Sequence, residues 1–96
     1  MVNLGYTGRD RAAVERHIRE LEREGVPAPP RVPMCYAVAN HLLIQGGGMV
    51  EVCGGTTSGE AEPVLLVTPR GVLVGVGSDH TDRQLERQCV ARSKNL

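Results

Sequence analysis

Glu60 and Glu62 stand two residues apart in Gly59-Glu60-Ala61-Glu62, and Asp79 follows after two apolar runs joined by Thr68-Pro69-Arg70-Gly71. Residues two apart on a strand point to the same face, so Glu60 and Glu62 project side by side, about 6–7 Å apart. Like charges at that spacing repel, and each raises the other's pKa unless a cation lies between them. A turn through Pro69-Arg70 sends the chain back, and Asp79, just past the end of the return strand, then approaches the pair. Converging carboxylate oxygens with room for water suit Mg²⁺, Mn²⁺ or Ca²⁺ rather than a soft metal. The ordinary alternative is a solvated strand face for Glu60 and Glu62, with Asp79 as a helix cap in Ser78-Asp79-His80-Thr81.

His17 and Glu20 lie three apart on a predicted first helix and are neighbours on its surface. A histidine oriented by a carboxylate can activate water as a general base. The alternative is an ordinary amphipathic helix in which Glu20 pairs with Arg16 or Arg23. His41 carries no further pattern, and His80 flanks the carboxylate cluster. Gly75-Val76-Gly77 lacks the third glycine of a dinucleotide loop, position 80 being His80, and Asp79 there would repel a phosphate.

These residues need elements to position them. Thr7-Gly8-Arg9-Asp10 reads as a helix start, with Thr7 as cap and Asp10 three residues on. Val14, Ile18 and Leu21 follow at helical spacing, and Gly25 and Pro27 end the helix. Val26 to Pro33, with four prolines, is an extended, stiff connector. Met34 to Ile44 fits a strand or a short helix. Met49 to Cys53 reads as a strand between the glycine-rich loops Gly46-Gly47-Gly48 and Gly54 to Gly59. Ala61 to Val67 reads as a strand in which Pro63 demands an edge or a bulge, and Val72 to Val76 as its return. A second helix is expected from Asp79 to Arg92, with Leu85, Cys89 and Val90 on one side and no closing element from Ala91 to Leu96.

Ninety-six residues make one domain, residues 1–96, with a modest core. Tyr6 and Tyr36 are the only aromatics, so Val, Leu, Ile and Ala must supply the core. The formal charge is zero and no basic stripe interleaves with aromatics, which argues against nucleic acid as a partner. No apolar run approaches the roughly 20 residues that span a bilayer, and the opening Met1-Val2-Asn3-Leu4-Gly5 is not a signal peptide. Cys35, Cys53 and Cys89 form no C-x-x-C pair, so they read as reduced, mostly buried thiols of a cytoplasmic protein.

The order of these motifs resembles the fumarylacetoacetate hydrolase superfamily. That family carries His-x-x-Glu, a proline-rich connector, an apolar strand, Glu-x-Glu, a strand pair, and an Asn-Asp-x-Ser-x-Arg segment. Here His17-Ile18-Arg19-Glu20 stands first, then Pro27 to Pro33, then Glu60-Ala61-Glu62, then Ser78-Asp79-His80-Thr81-Asp82-Arg83. The resemblance covers nearly the whole chain and is closest to a small branch described as a domain of unknown function. It implies an α+β fold, a partial mixed β-roll with two helices, incomplete in this chain. It further implies Mg²⁺ or Mn²⁺ on Glu60, Glu62 and Asp79, water activation by His17 and Glu20, and substrate contacts from Thr81 and Arg83. The implied substrate is a 2-oxo acid or acylpyruvate, cleaved, decarboxylated or isomerised through a metal-stabilised enolate. An open sheet exposes apolar strands and edges, so another chain is expected to close it, giving a homo-oligomer. A truncated, inactive relative serving as a dimerising or interaction module is the alternative.

Overall fold

A computed structural model describes residues 1–95 and shows a mixed α+β chain. In order come β1 (Val2–Gly5), α1 (Arg11–Arg23), β2 (Met34–Ala37), a 3-10 turn (Asn40–Leu42), β3 (Thr57–Thr68), β4 (Gly71–Asp82), α2 (Arg83–Glu86) and α3 (Val90–Ser93). Among the described residues the strands form two antiparallel pairs, β1 with β2 and β3 with β4.

α1 is defined by its ends. Asp10, in extended conformation, accepts the Ala12 N–H at 2.9 Å. The cap is therefore Asp10 and not Thr7: the carboxylate reaches the second helical N–H and adds a negative charge at the positive end of the helix. At the other end Gly25 takes φ +90°. Its N–H donates to the Glu22 carbonyl at 3.0 Å, and the Val26 N–H donates to the Leu21 carbonyl at 2.9 Å. These two bonds close the helix as a Schellman motif, which requires a left-handed residue that glycine adopts without steric cost. Val26, just beyond, is buried together with Val14 from the apolar stripe.

Residues 26–33 contain no regular element, as expected for the proline-rich connector. The apolar stretch after it takes both forms the sequence allows: β2, then the single 3-10 turn. β2 pairs with β1 from Val2–Ala37 to Gly5–Met34. Tyr36 crosses the face of Gly5 so closely that a Cβ there would come within 2.9 Å of the ring. The buried core is small: Val14, Val26, Tyr36 and Val38. Its centre is thus an aromatic, although aliphatic residues dominate the composition. Cys35, next to Tyr36 on the opposite face of a two-stranded sheet, is exposed, as is Cys53. The thiols are free but not mostly buried: Cys35 is on an uncovered sheet face, and Cys53 lies in a loop.

Met49 to Cys53 is not a strand. Residues 43–56 form a loop, with Gly46, Gly47 and Gly48 all at positive φ. An extended segment becomes a strand only where a partner accepts its backbone groups, and both sheets close as pairs without it. β3 and β4 are correspondingly longer than expected. They pair without a bulge from Thr57–Asp82 to Thr68–Gly71. Pro63 is tolerated because β3 has a free edge. The Thr68 hydroxyl donates to the Gly71 carbonyl at 2.8 Å and accepts the Arg70 N–H at 3.2 Å, locking the turn.

The predicted helix from Asp79 to Arg92 is replaced by the end of β4 and two single turns. Asp79 remains in the ladder opposite Glu60, and Asp82 is the residue that caps α2, accepting the N–H groups of Gln84 at 2.9 Å and Leu85 at 3.0 Å. Cys89, with extended backbone, separates α2 from α3. The chain end does close onto the fold: Asn95 accepts the Ala39 N–H at 3.1 Å and donates to the Ala37 carbonyl at 3.1 Å. Leu96 lies outside the described residues. No described helix is long and apolar enough to cross a membrane.

Burial pushes the Tyr36 hydroxyl up to about 12, with Tyr6, Cys89 and Glu86 nearby adding to the rise. Between the unfolded value near 10 and the folded value, only the unfolded chain loses the proton, so stability falls as pH rises through that window and levels off above it. Chemical denaturation from pH 9 to 12 is expected to show a loss on the order of 1–2 kcal/mol that Tyr36→Phe reduces, the remainder coming from Tyr6. An identical slope in both proteins would count against this assignment.

Candidate functional site

The β3–β4 register builds the site. Glu60 lies directly across from Asp79, and Glu62, two residues along β3, shares their face. All three carboxylates line one cavity of about 180 Å³, together with His17 from α1, Tyr6 and Tyr36. Residues from the first helix, the first sheet and the hairpin therefore meet at one place, as the spacing arguments for Glu60, Glu62 and Asp79 expect. The helix-cap alternative for Asp79 does not hold, since that residue is within a strand.

Positive charge is already supplied to this cluster. Lys94 reaches in from the end of α3 and donates to Asp79 Oδ2 at 2.5 Å and to Thr81 Oγ1 at 2.8 Å, with Glu60 Oε2 at 3.7 Å. Its side chain is 8% exposed, and that of Asp79 13%. Thr81 is wholly enclosed, so its hydroxyl positions the ammonium. Arg83 takes the outer side of Glu60: its Nη2 donates to Glu60 Oε1 at 2.7 Å, its Nη1 to Glu86 Oε2 at 3.2 Å and its Nε to Ser58 Oγ at 2.8 Å. Burial works against the guanidinium charge, but the hydrogen bonds to Glu60 and Glu86 outweigh it and raise the Arg83 pKa. Every donor of the fork that bonds here is engaged with the protein. Thr81 and Arg83 thus hold the cluster in shape rather than lining its cavity.

As the side chains stand, no three His, Cys, Asp or Glu residues among those described are gathered closely enough to coordinate one ion. The Lys94 ammonium occupies the space between Asp79 and Glu60 that a cation would share.

His17 lines the cavity while its Nδ1 lies 3.9 Å from Glu20 Oε2. Glu20 is on the helix surface, 65% exposed. The pair exists, with only its imidazole at the cavity. Tyr6, whose ring centroid is 6.4 Å from that of His17, has φ +59°, an uncommon conformation for a side-chain-bearing residue. Burial, then the charge of Glu86, raises its hydroxyl pKa. His80 faces away from the carboxylates, being one residue out of phase with Asp79 on β4.

Lys94, Glu86 and the two tyrosines are the site residues that spacing did not suggest. Lys94 carried one signal: it is the only lysine among eleven basic residues, the others all being arginine. Removing the ammonium strands Asp79 in a poorly solvated position, which should cost about 2–4 kcal/mol. Urea denaturation in EDTA is expected to show that loss for Lys94→Met, and a much smaller one for the same change in an Asp79→Asn background. Equal losses in both backgrounds would mean that the pair is not coupled.

No curated protein and no solved structure matches the chain. A family model does, over residues 4–96. The chain belongs to the family described as protein of unknown function DUF2848.

Proposed function

We propose that this chain forms the metal-binding part of an enzyme of the fumarylacetoacetate hydrolase type, with a partial mixed β-roll, acting in the cytoplasm on a 2-oxo acid or acylpyruvate. The reaction class is C–C hydrolysis, decarboxylation or isomerisation. The observation that supports it is the meeting of Glu60, Glu62 and Asp79 with His17 at one cavity. The donors are all carboxylate oxygens, the chemistry that Mg²⁺, Mn²⁺ or Ca²⁺ prefers. The ammonium of Lys94 between Asp79 and Glu60 marks where this cluster stabilises positive charge. The donor types suit a hard divalent ion, which Glu60, Glu62 and Asp79 would hold after the ammonium withdraws and the three side chains draw closer together.

A bound ion would supply a Lewis acid for the oxo and carboxylate oxygens of the substrate. The chain's own groups do the rest. His17, with Nδ1 toward Glu20, has Nε2 free to accept a proton from water or substrate at the cavity. Glu20, 3.9 Å from Nδ1, would orient the imidazole once the pair closes to hydrogen-bonding distance. Arg83 holds Glu60 in place, and Thr81 fixes Lys94. Displaced from Asp79, Lys94 is the one cationic side chain lining the cavity that could meet a substrate carboxylate.

A second reading, a catalytically inactive relative that serves as an interaction module, is favoured by one observation: Lys94 already neutralises Asp79 and approaches Glu60. Mn²⁺ titration calorimetry separates the two. On the enzyme reading, wild type binds Mn²⁺, Glu60→Ala binds at least about tenfold more weakly, and Lys94→Met binds more tightly and gains more thermal stability from the ion. If wild type and Glu60→Ala have the same affinity, the metal site is wrong. If neither wild type nor Lys94→Met binds, the module reading stands.

A further inference from the structure

The segment that carries Lys94 to the carboxylates has little helical stability of its own. α3 is a single turn, too short to persist alone, and Cys89 before it makes no side-chain cap. Three successive side chains dock the segment. Ser93 is enclosed, but its hydroxyl donates to the Val90 carbonyl at 2.7 Å, within the same turn. Lys94 bonds to Asp79 and Thr81 and approaches Glu60. Asn95 bonds instead to the end of β2. Its Oδ1 accepts the Ala39 N–H at 3.1 Å, and its Nδ2 donates to the Ala37 carbonyl at 3.1 Å and to the Ala91 carbonyl at 2.8 Å. Two neighbouring residues thus grip two different elements, the hairpin and the first sheet. Two of the three amide bonds are exposed to water, so each contributes little net stability. The charge-assisted bonds of Lys94 are the stronger part of the hold.

We propose that residues 93–95 form a latch on the cation seat, closed by Asn95 on β2 and opened by a divalent ion that replaces the Lys94 ammonium. The hydrogen bonds of Asn95 reach no carboxylate, so it is a positioning residue that acts through Lys94. In the closed form the ammonium bonds to Asp79 and approaches Glu60, and an ion on those oxygens would meet a like charge at contact distance. Ion and ammonium therefore exclude each other. An entering ion removes the strongest bonds of the segment and leaves it to the weaker amide bonds of Asn95. Because the ion binds the open form, its apparent affinity is its intrinsic affinity scaled by the open fraction. By linkage, whatever loosens Asn95 tightens the ion, and the ion in turn frees Lys94. The opening of the latch rests on the metal reading; its closure by Asn95 stands on the hydrogen bonds alone.

Lys94 is the only lysine of the chain, so endoproteinase Lys-C, which cleaves after lysine, reports its release at a single bond. With its side chain 8% exposed, Lys94 is protected while the latch is closed. Cleavage of the full chain is followed by mass spectrometry, each rate divided by that of the same protein in urea. In EDTA, Asn95→Ala is expected to be cut roughly tenfold faster than wild type, through loss of a side chain with three hydrogen bonds. Equal rates overturn the latch. Should circular dichroism show that variant unfolded, Ala39→Pro removes the N–H that Asn95 accepts, at a residue whose φ of −64° suits proline, and is expected to speed cleavage by a smaller factor. Saturating Mn²⁺ is expected to speed cleavage of wild type but not of Glu62→Ala, which lacks a proposed ligand that makes no ion pair with Lys94. Calorimetry is expected to show Mn²⁺ bound roughly tenfold more tightly by Asn95→Ala than by wild type, a gain that a merely structural role of Asn95 would not produce. Mn²⁺ that binds wild type and leaves Lys94 protected overturns the exchange. Mn²⁺ that binds neither protein overturns the metal reading and the opening with it, while the EDTA rates still decide whether Asn95 holds the closed form.

Discussion

Glu60 and Asp79 sit directly across from one another in the β3–β4 ladder, and two carboxylates so placed, with Cβ atoms about 5 Å apart, repel unless cations hold them. Two cations do. Lys94 takes Asp79 and approaches Glu60 from the buried side, and Arg83 takes Glu60 from the outer side. Each cation comes from the segment after β4, so satisfying the hairpin's charge fixes the path of the chain end. Arg83 opens α2 directly after the strand, and Lys94 follows α3. The buried hydroxyl of Thr81 then orients the ammonium. One electrostatic demand thereby helps to organise residues 83–95, which bury no large hydrophobic side chain fully.

The same demand governs what the site can do. A cluster that draws in an ammonium is a cluster that stabilises a cation, whichever cation is present. Lys94 satisfies it with no cofactor, at the cost of ordering a long side chain. A divalent ion would satisfy it with more charge and more ligands. The competition between the two is a matter of relative free energy, and it links the stability of the chain end to the occupancy of the carboxylates.

The hydrophobic side of the fold is uneven. Val14, Val26, Tyr36 and Val38 form a small core, while the Val and Leu residues of β3 and β4 from Val64 to Val76 stay exposed. A chain of this size has little surface to remove from water on its own.

Much of this was legible in the residues. Glu60-x-Glu62 gives two carboxylates on one face, because a strand repeats every two residues. Thr68-Pro69-Arg70-Gly71 gives the turn, and Gly25 gives the end of α1, since each has local backbone chemistry that does not depend on distant contacts. Pro63 gives an edge for the same reason. Other features depend on partners far along the chain. Met49 to Cys53 has strand composition yet lacks a strand to pair with. Asp79 has cap composition yet extends the ladder, so the cap passes to Asp82. Thr7 yields its role to Asp10, which stands immediately before the helix and accepts the Ala12 N–H. Lys94 is one lysine in a polar tail by sequence, and only the docking of Asn95 onto β2 and of Lys94 onto Asp79 brings it to the cavity. The sequence by itself determined the turns, the helix end and the paired carboxylates, because these follow from φ and ψ preferences and side-chain period. The tertiary structure alone decided which cation faces them and which apolar residues are left exposed, because long-range electrostatics and packing depend on how distant segments meet.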